Sequence, residues 1–483
     1  MLNLRPIFLV NGTLLSILSV AMLIPAAVDL YMDNPDWMSF LISSFLTAFI
    51  GISLFLTNKE DSKTINLRQA FLLTGTCWVT LSAFSALPFF FSDLNISYTD
   101  AFFESMSGLT TTGATVLIGL DNMPPGVLLW RSLLAWLGGI GIIVMAMAVL
   151  PMLKIGGMQL FRTESSDKSD KILPRAAHIS VAIGSVYLLF TFLCSTFLWF
   201  AGVTPFNAIN HAMTTVATSG FSTHDASIAH YNSPLIEGII SVFMLASAIP
   251  YVLYIQIIHG HKSKSILDDS QVRWFLGIVV SSIFAIMMWL YLANNLDIES
   301  AFRYAAFNVI SVITTTGFAS DDYSVWGGFA VTVIFLLSVV GGCTGSTTGG
   351  IKVFRYQILY QTARTQIYQL IRPHSVIRPR FNDKPVSDNI TSSVMSFFIL
   401  FAFCFLVLAM ILSLQGLDYI SSMSAAASCL ANLGPALGPL LGPSGTYTTI
   451  SDISKWVLSF AMLVGRLEVF TVLVLFSPYF WKD

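Results

Sequence analysis

Apolar stretches separated by short polar connections run the length of the chain. Ten of them lie at about 6–28, 37–57, 69–91, 126–150, 177–202, 235–258, 272–293, 327–368, 391–414 and 455–477. Each is long enough to cross a hydrocarbon layer ~30 Å thick as a helix, the eighth with an interruption. Between them lie four shorter apolar stretches, near 99–112, 205–219, 298–316 and 418–433. These run ~12–18 residues, too short to cross, and suit half-helices that enter the layer and turn back. The pattern predicts an all-α polytopic membrane protein, a two-helix hairpin followed by four units of span, half-helix, glycine turn and span. The expected boundaries are 1–66 for the hairpin, then 67–152, 176–260, 270–370 (second helix interrupted) and 389–478 for the four units.

The units are tied together by one short motif. Thr110-Thr111-Thr112-Gly113, Ala217-Thr218-Ser219-Gly220, Thr314-Thr315-Thr316-Gly317 and Ala431-Asn432-Leu433-Gly434 align on glycines 107, 97 and 117 residues apart. Six residues before each glycine is a hydroxyl: Ser107, Thr214, Ser311 and Ser428. Four before it is an aliphatic: Leu109, Val216, Ile313 and Leu430. A conserved offset at so long a period marks an internal repeat.

Composition fixes the medium. Hydrophobic residues make up 55% and charged residues 10%, values of an integral membrane protein with no separate soluble domain. Of 24 Lys and Arg, 20 fall on the side that holds the N-terminus, which the positive-inside rule makes cytoplasmic. Ten crossings return the C-terminus to that side, and the glycine turns then open outward. Asp93, Asp100, Glu104, Asp121, Asp225, Asp297, Glu299, Asp321, Asp322 and Asp418 collect on the outer side, as solvated loop residues or as a field that concentrates cations. The first apolar run is too long for a secretory signal and is read as a retained helix. The five cysteines show neither metal spacing nor a disulfide framework and are expected to be free thiols.

Backbone carbonyls can replace the water shell of a cation only where the chain leaves helical hydrogen bonding, and in a membrane that requires a wet cavity. Glycine permits the backbone angles that turn successive carbonyls to one side. A half-helix ahead of it directs its partially negative end at the same place. A single T-T-G is as well explained as a helix C-cap. Four copies, each between two spans, favour a cation filter built from Thr111, Thr112, Gly113, Thr218, Ser219, Gly220, Thr315, Thr316, Gly317, Asn432, Leu433 and Gly434, with no prosthetic group expected.

Two further features stand out. Gly341-Gly342-Cys343-Thr344-Gly345-Ser346-Thr347-Thr348-Gly349-Gly350 interrupts the eighth span, and each glycine costs a helix ~1 kcal/mol relative to alanine. It lacks the order of a phosphate-binding loop, which leaves a tight helix-packing face or an unwound loop. Arg466 lies near the middle of the tenth stretch, where a lone charge costs ~2.5–3.5 kcal/mol and faces a partner or a cavity. Glu468, two residues on, points to another helix face.

These residues resemble the Trk/Ktr/HKT superfamily of potassium transport proteins, most closely its bacterial TrkH/TrkG branch. The likeness covers essentially the whole chain. It includes Trp136-Leu137-Gly138-Gly139-Ile140-Gly141, Gly156-Gly157-Met158-Gln159-Leu160-Phe161-Arg162, Gly341 to Lys352 and Gly465-Arg466-Leu467-Glu468. The resemblance implies four channel-like units fused in one chain around a central pore, with Gly113, Gly220, Gly317 and Gly434 as the filter glycines and K+ as the ion bound there and transported. It implies a gate below the third filter stretch, made of Gly345, Ser346, Thr347, Thr348 and Gly349 with Arg466. It further implies a homodimer in the bacterial inner membrane, both termini cytoplasmic, surrounded by lipid. A TrkA-like cytosolic ring of nucleotide-binding regulatory subunits would dock on it, and the basic segment from Lys352 to Asp388 offers a platform. Nucleic acid is not an expected partner. Departures are visible too: no turn carries the full TVGYG of potassium channels, and the fourth has Asn432 and Leu433 in place of hydroxyls. Only moderate rejection of sodium is expected.

A Na+- or H+-coupled secondary carrier, or symporter, is the leading alternative. It favours inverted repeats and acidic residues at mid-membrane. Here the repeats run parallel. An enzyme is not expected, because the seven histidines are scattered and form no HExxH, and no GxSxG occurs. His224 and His230 share an outer loop, a spacing met more often without a ligand than with one.

Overall fold

The computed structural model describes residues 3–59, 66–148, 172–258, 266–374, 378–382 and 384–482. The motif at 156–162 and the basic residues Lys63, Lys154, Arg162, Lys168, Lys171, Lys262 and Lys264 lie outside the described residues. Nearly all regular structure is helical; a two-residue β-hairpin, Arg380–Phe381 against Lys384–Pro385, is the one addition to the all-α expectation among the described residues.

Seven described helices are long and apolar enough to cross a membrane: Arg5–Tyr31, Trp37–Thr57, Leu67–Phe91, Pro125–Ile143, Ser180–Phe200, Ser270–Ala293 and Asp388–Leu414. Two more candidate spans are broken, which the sequence reading took as continuous. Pro234–Ala248 and Tyr251–Ile258 meet at 89°, and Asp452–Arg466 and Val469–Phe476 at 114°. The first break has a local cause: Ile249 precedes Pro250 and is held extended, at φ −88° and ψ 148°. The second turns on Glu468, a non-glycine residue at φ 65°. It also moves Arg466 from the expected mid-span position to the last residue of its helix. The eighth stretch divides as expected, into Gly328–Ser338 and Val353–Ile371.

The leading hairpin packs by close backbone approach. A side chain added at Gly12 would reach within 2.7 Å of the Gly51 carbonyl oxygen on the opposing helix, so the two helices touch where small residues face each other. Asp29 then fastens the hairpin to the body, its Oδ1 accepting from the Gly126 N–H at 2.6 Å.

Four short helices stand among the long ones: Tyr98–Leu109, Pro205–Val216, Ile298–Ile313 and Tyr419–Ala431. Each begins at a side-chain cap, from Ser97, Thr204, Asp297 and Asp418 respectively. These acceptors satisfy N–H groups that a helix start leaves without partners. Asp297 and Asp418 therefore belong to helix starts rather than to a diffuse acidic field. The C-terminal halves of these helices are buried, and all four lead into the glycine turns.

Candidate functional site

The four turns have the same backbone. Thr112, Ser219, Thr316 and Leu433 donate their N–H to the carbonyls of Ser107, Thr214, Ser311 and Ser428 at 2.8, 2.9, 2.9 and 2.9 Å. One residue earlier, Thr111, Thr218, Thr315 and Asn432 are left-handed, with φ of 53°, 52°, 53° and 56°. This is a Schellman-type helix end, usually made with glycine and here made with threonine or asparagine. Gly113, Gly220, Gly317 and Gly434 follow, also at positive φ. The hydroxyl positions that define the repeat in the sequence are thus the acceptor carbonyls of the turn.

The turns also meet. A Cβ placed on Gly113 would overlap the carbonyl oxygen of Ser219; on Gly220, that of Thr316; on Gly317, that of Leu433; and on Gly434, that of Thr112. The glycine of each turn therefore abuts the carbonyl that precedes the glycine of the next, and the fourth returns to the first. Any side chain there would push the ring apart. All twelve expected residues belong to this ring, and the eight that precede the glycines are buried. The hydroxyls of Thr111 and Ser219 are buried without a hydrogen-bond partner among the described residues. Asn432 compensates for its missing hydroxyl by reaching sideways, its Nδ2 donating to Thr112 Oγ1 at 3.1 Å and to the Met462 carbonyl at 2.9 Å.

Below the ring, residues 339–352 form no helix. The broken span supplies their partners. Where Pro234–Ala248 stops, the freed carbonyls of Ser247 and Ala248 accept from Thr347 and Cys343, while Tyr251 donates to Gly345. On the other side Gly349 donates to Thr315 Oγ1 at 2.7 Å, and Gly350 donates to the Ala431 carbonyl at 2.8 Å. The loop is buried and bonded to two of the four turns. Arg466 Nη2 donates to the Thr347 carbonyl at 2.8 Å, and Lys352 Nζ donates to the Thr348 carbonyl and hydroxyl. Two cations thus hold adjacent carbonyls of one loop. They line a cavity of about 30 Å³ shared with Gly345, Ser346, Gly349 and Glu468.

Several charges lie elsewhere than the sequence suggested. Arg355, counted among cytoplasmic basic residues, is fully buried and pairs with Glu468 at 2.6 Å; its guanidinium lies 3.7 Å from the Phe397 ring centre. Lys352 and Glu468 both start helices at positive φ, 77° and 65°. Glu104, expected in a solvated outer loop, is fully buried and pairs with Arg131 at 2.7 Å. Arg131 also donates to the Ser222 carbonyl at 2.8 Å and to Thr115 Oγ1 at 3.2 Å, and Glu104 accepts from the Val116 N–H at 2.9 Å. This pair braces the segments that follow Gly113 and Gly220. The sequence reading missed it, although the rule that singles out Arg466 applies equally to a lone arginine at 131.

A shell of apolar helices around a buried ring of inward-folded backbone turns is the build of a multi-pass membrane protein that handles ions. The family profile described as "TrkH: Cation transport protein" matches residues 37–482. A "Trk system potassium uptake protein TrkI" of Halomonas elongata is 41% identical over 479 residues, covering 99% of this chain and 97% of that protein. The "Trk system potassium uptake protein TrkH" of Escherichia coli K12 is 38% identical, with both chains covered completely. The crystal structure of the potassium transporter TrkH from Vibrio parahaemolyticus superposes with a TM-score of 0.92, 36% identity and full coverage of both chains. The chain belongs to the TrkH family of cation transport proteins.

Proposed function

We propose that this chain is the potassium-translocating subunit of a Trk-type uptake system in a bacterial inner membrane. The observation that carries the reading is the closed ring, in which each glycine abuts the carbonyl of the next turn. Four channel-like units around one pore would bring Thr111-Thr112-Gly113, Thr218-Ser219-Gly220, Thr315-Thr316-Gly317 and Asn432-Leu433-Gly434 together as the selectivity filter. Their carbonyls would replace the water lost by K+. The loop Gly345–Gly349 obstructs the path beneath, held shut by Arg466. The names of the relatives, potassium uptake proteins at 38–41% identity, support potassium as the cargo. Both termini face the cytoplasm in this reading. The chain works as a homodimer, and the basic segment from Lys352 to Asp388 receives a nucleotide-binding cytosolic partner. Parallel repeats speak for a gated pore over a coupled carrier, as do the ion pairs that hold the buried Glu104, Glu237 and Glu468.

Purified chain in liposomes tests this. Rb+ uptake should be competed by K+ and moderately less by Na+, and Gly113→Ser should narrow that difference. Equal competition by Na+ and K+ in the wild type would remove the potassium assignment.

A further inference from the structure

The outer loops of the first and second units meet at a cluster that the ring and gate do not use. Asp121 follows Gly113 by a short segment; His224 and His230 follow Gly220. One oxygen of the Asp121 carboxylate and one nitrogen of each ring all lie within 4.8 Å of one another. His224 Nδ1 is 2.5 Å from Asp121 Oδ1, and His230 Nδ1 is 4.0 Å from the same oxygen. The two imidazoles stack with centres 3.6 Å apart and planes 4° from parallel, so both Nδ1 atoms present toward one carboxylate.

We infer that Asp121, His224 and His230 form a binding site for a divalent transition metal of the Zn2+ type on the outer face. Two imidazoles and a carboxylate with room for water make up a ligand set that suits zinc, and imidazole disfavours Mg2+ and Ca2+. With Zn–N and Zn–O bonds of ~2.0–2.2 Å, tetrahedral ligands lie roughly 3.3–3.5 Å apart. The 2.5 Å contact must open and the 4.0 Å contact must close, and because a metal lies in the plane of each imidazole that binds it, the two stacked rings must also splay apart about their side-chain torsions, which the exposure of His230 permits.

The backbone beneath is already fixed. Asp225 Oδ1 accepts from the N–H groups of Gly119 and Leu120 at 3.0 and 3.1 Å, and its own N–H donates to Asp121 Oδ2 at 3.4 Å. These bonds hold the Asp121 loop against the His224 loop. Asn207 Nδ2 donates to His224 Nε2 at 3.1 Å and orients the ring from behind; a metal on Nδ1 requires this amide to turn over so that its oxygen accepts from Nε2–H, the second bond that fixes the tautomer of a metal-bound histidine. Access is graded: the His224 side chain is 13% exposed, whereas Asp121 and His230 are 43% and 45% exposed. A metal entering from outside would meet the two outer ligands first and staple two units together above the ring.

The test is calorimetric titration of the untagged full chain in detergent with ZnCl2, followed by Co2+ absorption to read the ligand field. One saturable metal per chain is expected, with tetrahedral-type Co2+ bands and no displacement by excess Mg2+. Binding should weaken roughly tenfold or more in His224→Ala, His230→Ala and Asp121→Asn, and by about tenfold in Asn207→Leu. If His224→Ala elutes as misfolded protein, His230→Ala, at an exposed position, decides in its place. Absence of saturable Zn2+ binding, or binding unaltered in His230→Ala and Asp121→Asn, would overturn the site.

Discussion

Thr315 and Gly349 are joined by a hydrogen bond, the Gly349 N–H donating to the Thr315 hydroxyl at 2.7 Å. Thr315 is the left-handed residue of the third turn, and Gly349 closes the loop below. One bond therefore couples the conformation of the ring to the position of the loop beneath it.

Thr315→Ala removes the acceptor and leaves a buried N–H without a partner, a cost of about 1–3 kcal/mol to the closed loop. Rb+ uptake into liposomes by the chain alone should rise several-fold, and Thr315→Ser should restore the wild-type rate. Unaltered uptake in Thr315→Ala would separate the loop from gating.

Arg466 and Lys352 act on the other face of the same loop. Arg466→Ala should raise uptake at equal protein amount, as should Lys352→Met, because each frees one loop carbonyl. Substituting both should exceed either alone, since adjacent carbonyls are held by separate cations. A fall in uptake by folded Arg466→Ala would reduce the residue to a packing role.

The Glu104–Arg131 pair is buried on both sides, and breaking one partner of such a pair costs about 3–5 kcal/mol. Glu104→Gln or Arg131→Met should lower the melting temperature and relax K+ over Na+ preference, because the segments after Gly113 and Gly220 lose their shared brace. The double variant Glu104→Leu/Arg131→Met should regain much of the stability without regaining the preference. Size-exclusion melting curves and competition of Rb+ uptake read the two effects separately.

What could be read in the chain followed from repetition. The offsets of Ser107, Thr214, Ser311 and Ser428 from their glycines were visible because a turn with one hydrogen-bond pattern needs one spacing. The interruption at 341–350 was visible because glycine pairs oppose a helix locally. The bend at Pro250 carried a local signal that the sequence reading passed over. The bend at Glu468 carried none, since neither proline nor glycine stands there. Partners distant in sequence were illegible for a simpler reason: Arg355 and Glu468, 113 residues apart, meet only after the third and fourth units have packed.

A milder prediction concerns the start of the fourth short helix. Asp418 accepts from the N–H groups of Ile420 and Ser421, and its hydrogen bonds from Ser421 and Ile420 hold its carboxyl below the usual range. A lowered folded-state pKa means the cap stabilises fully above about pH 4 and is lost as pH falls through the lower folded value. Asp418→Ala should therefore be less stable by ~0.5–1 kcal/mol at pH 7, and the two proteins should converge in melting temperature as the medium is acidified toward pH 3.

The contact of Gly434 with the Thr112 carbonyl makes the chain a closed circuit although its sequence is linear. No quarter is terminal: the first leans on the second, and the last leans on the first. Damage in neighbouring quarters should then interfere, with paired substitutions at Gly113 and Gly220 departing from the sum of their separate effects more than pairs placed diagonally at Gly113 and Gly317. The absence of a hydroxyl at Leu433 is accordingly felt first by the two turns beside it, the third and the first.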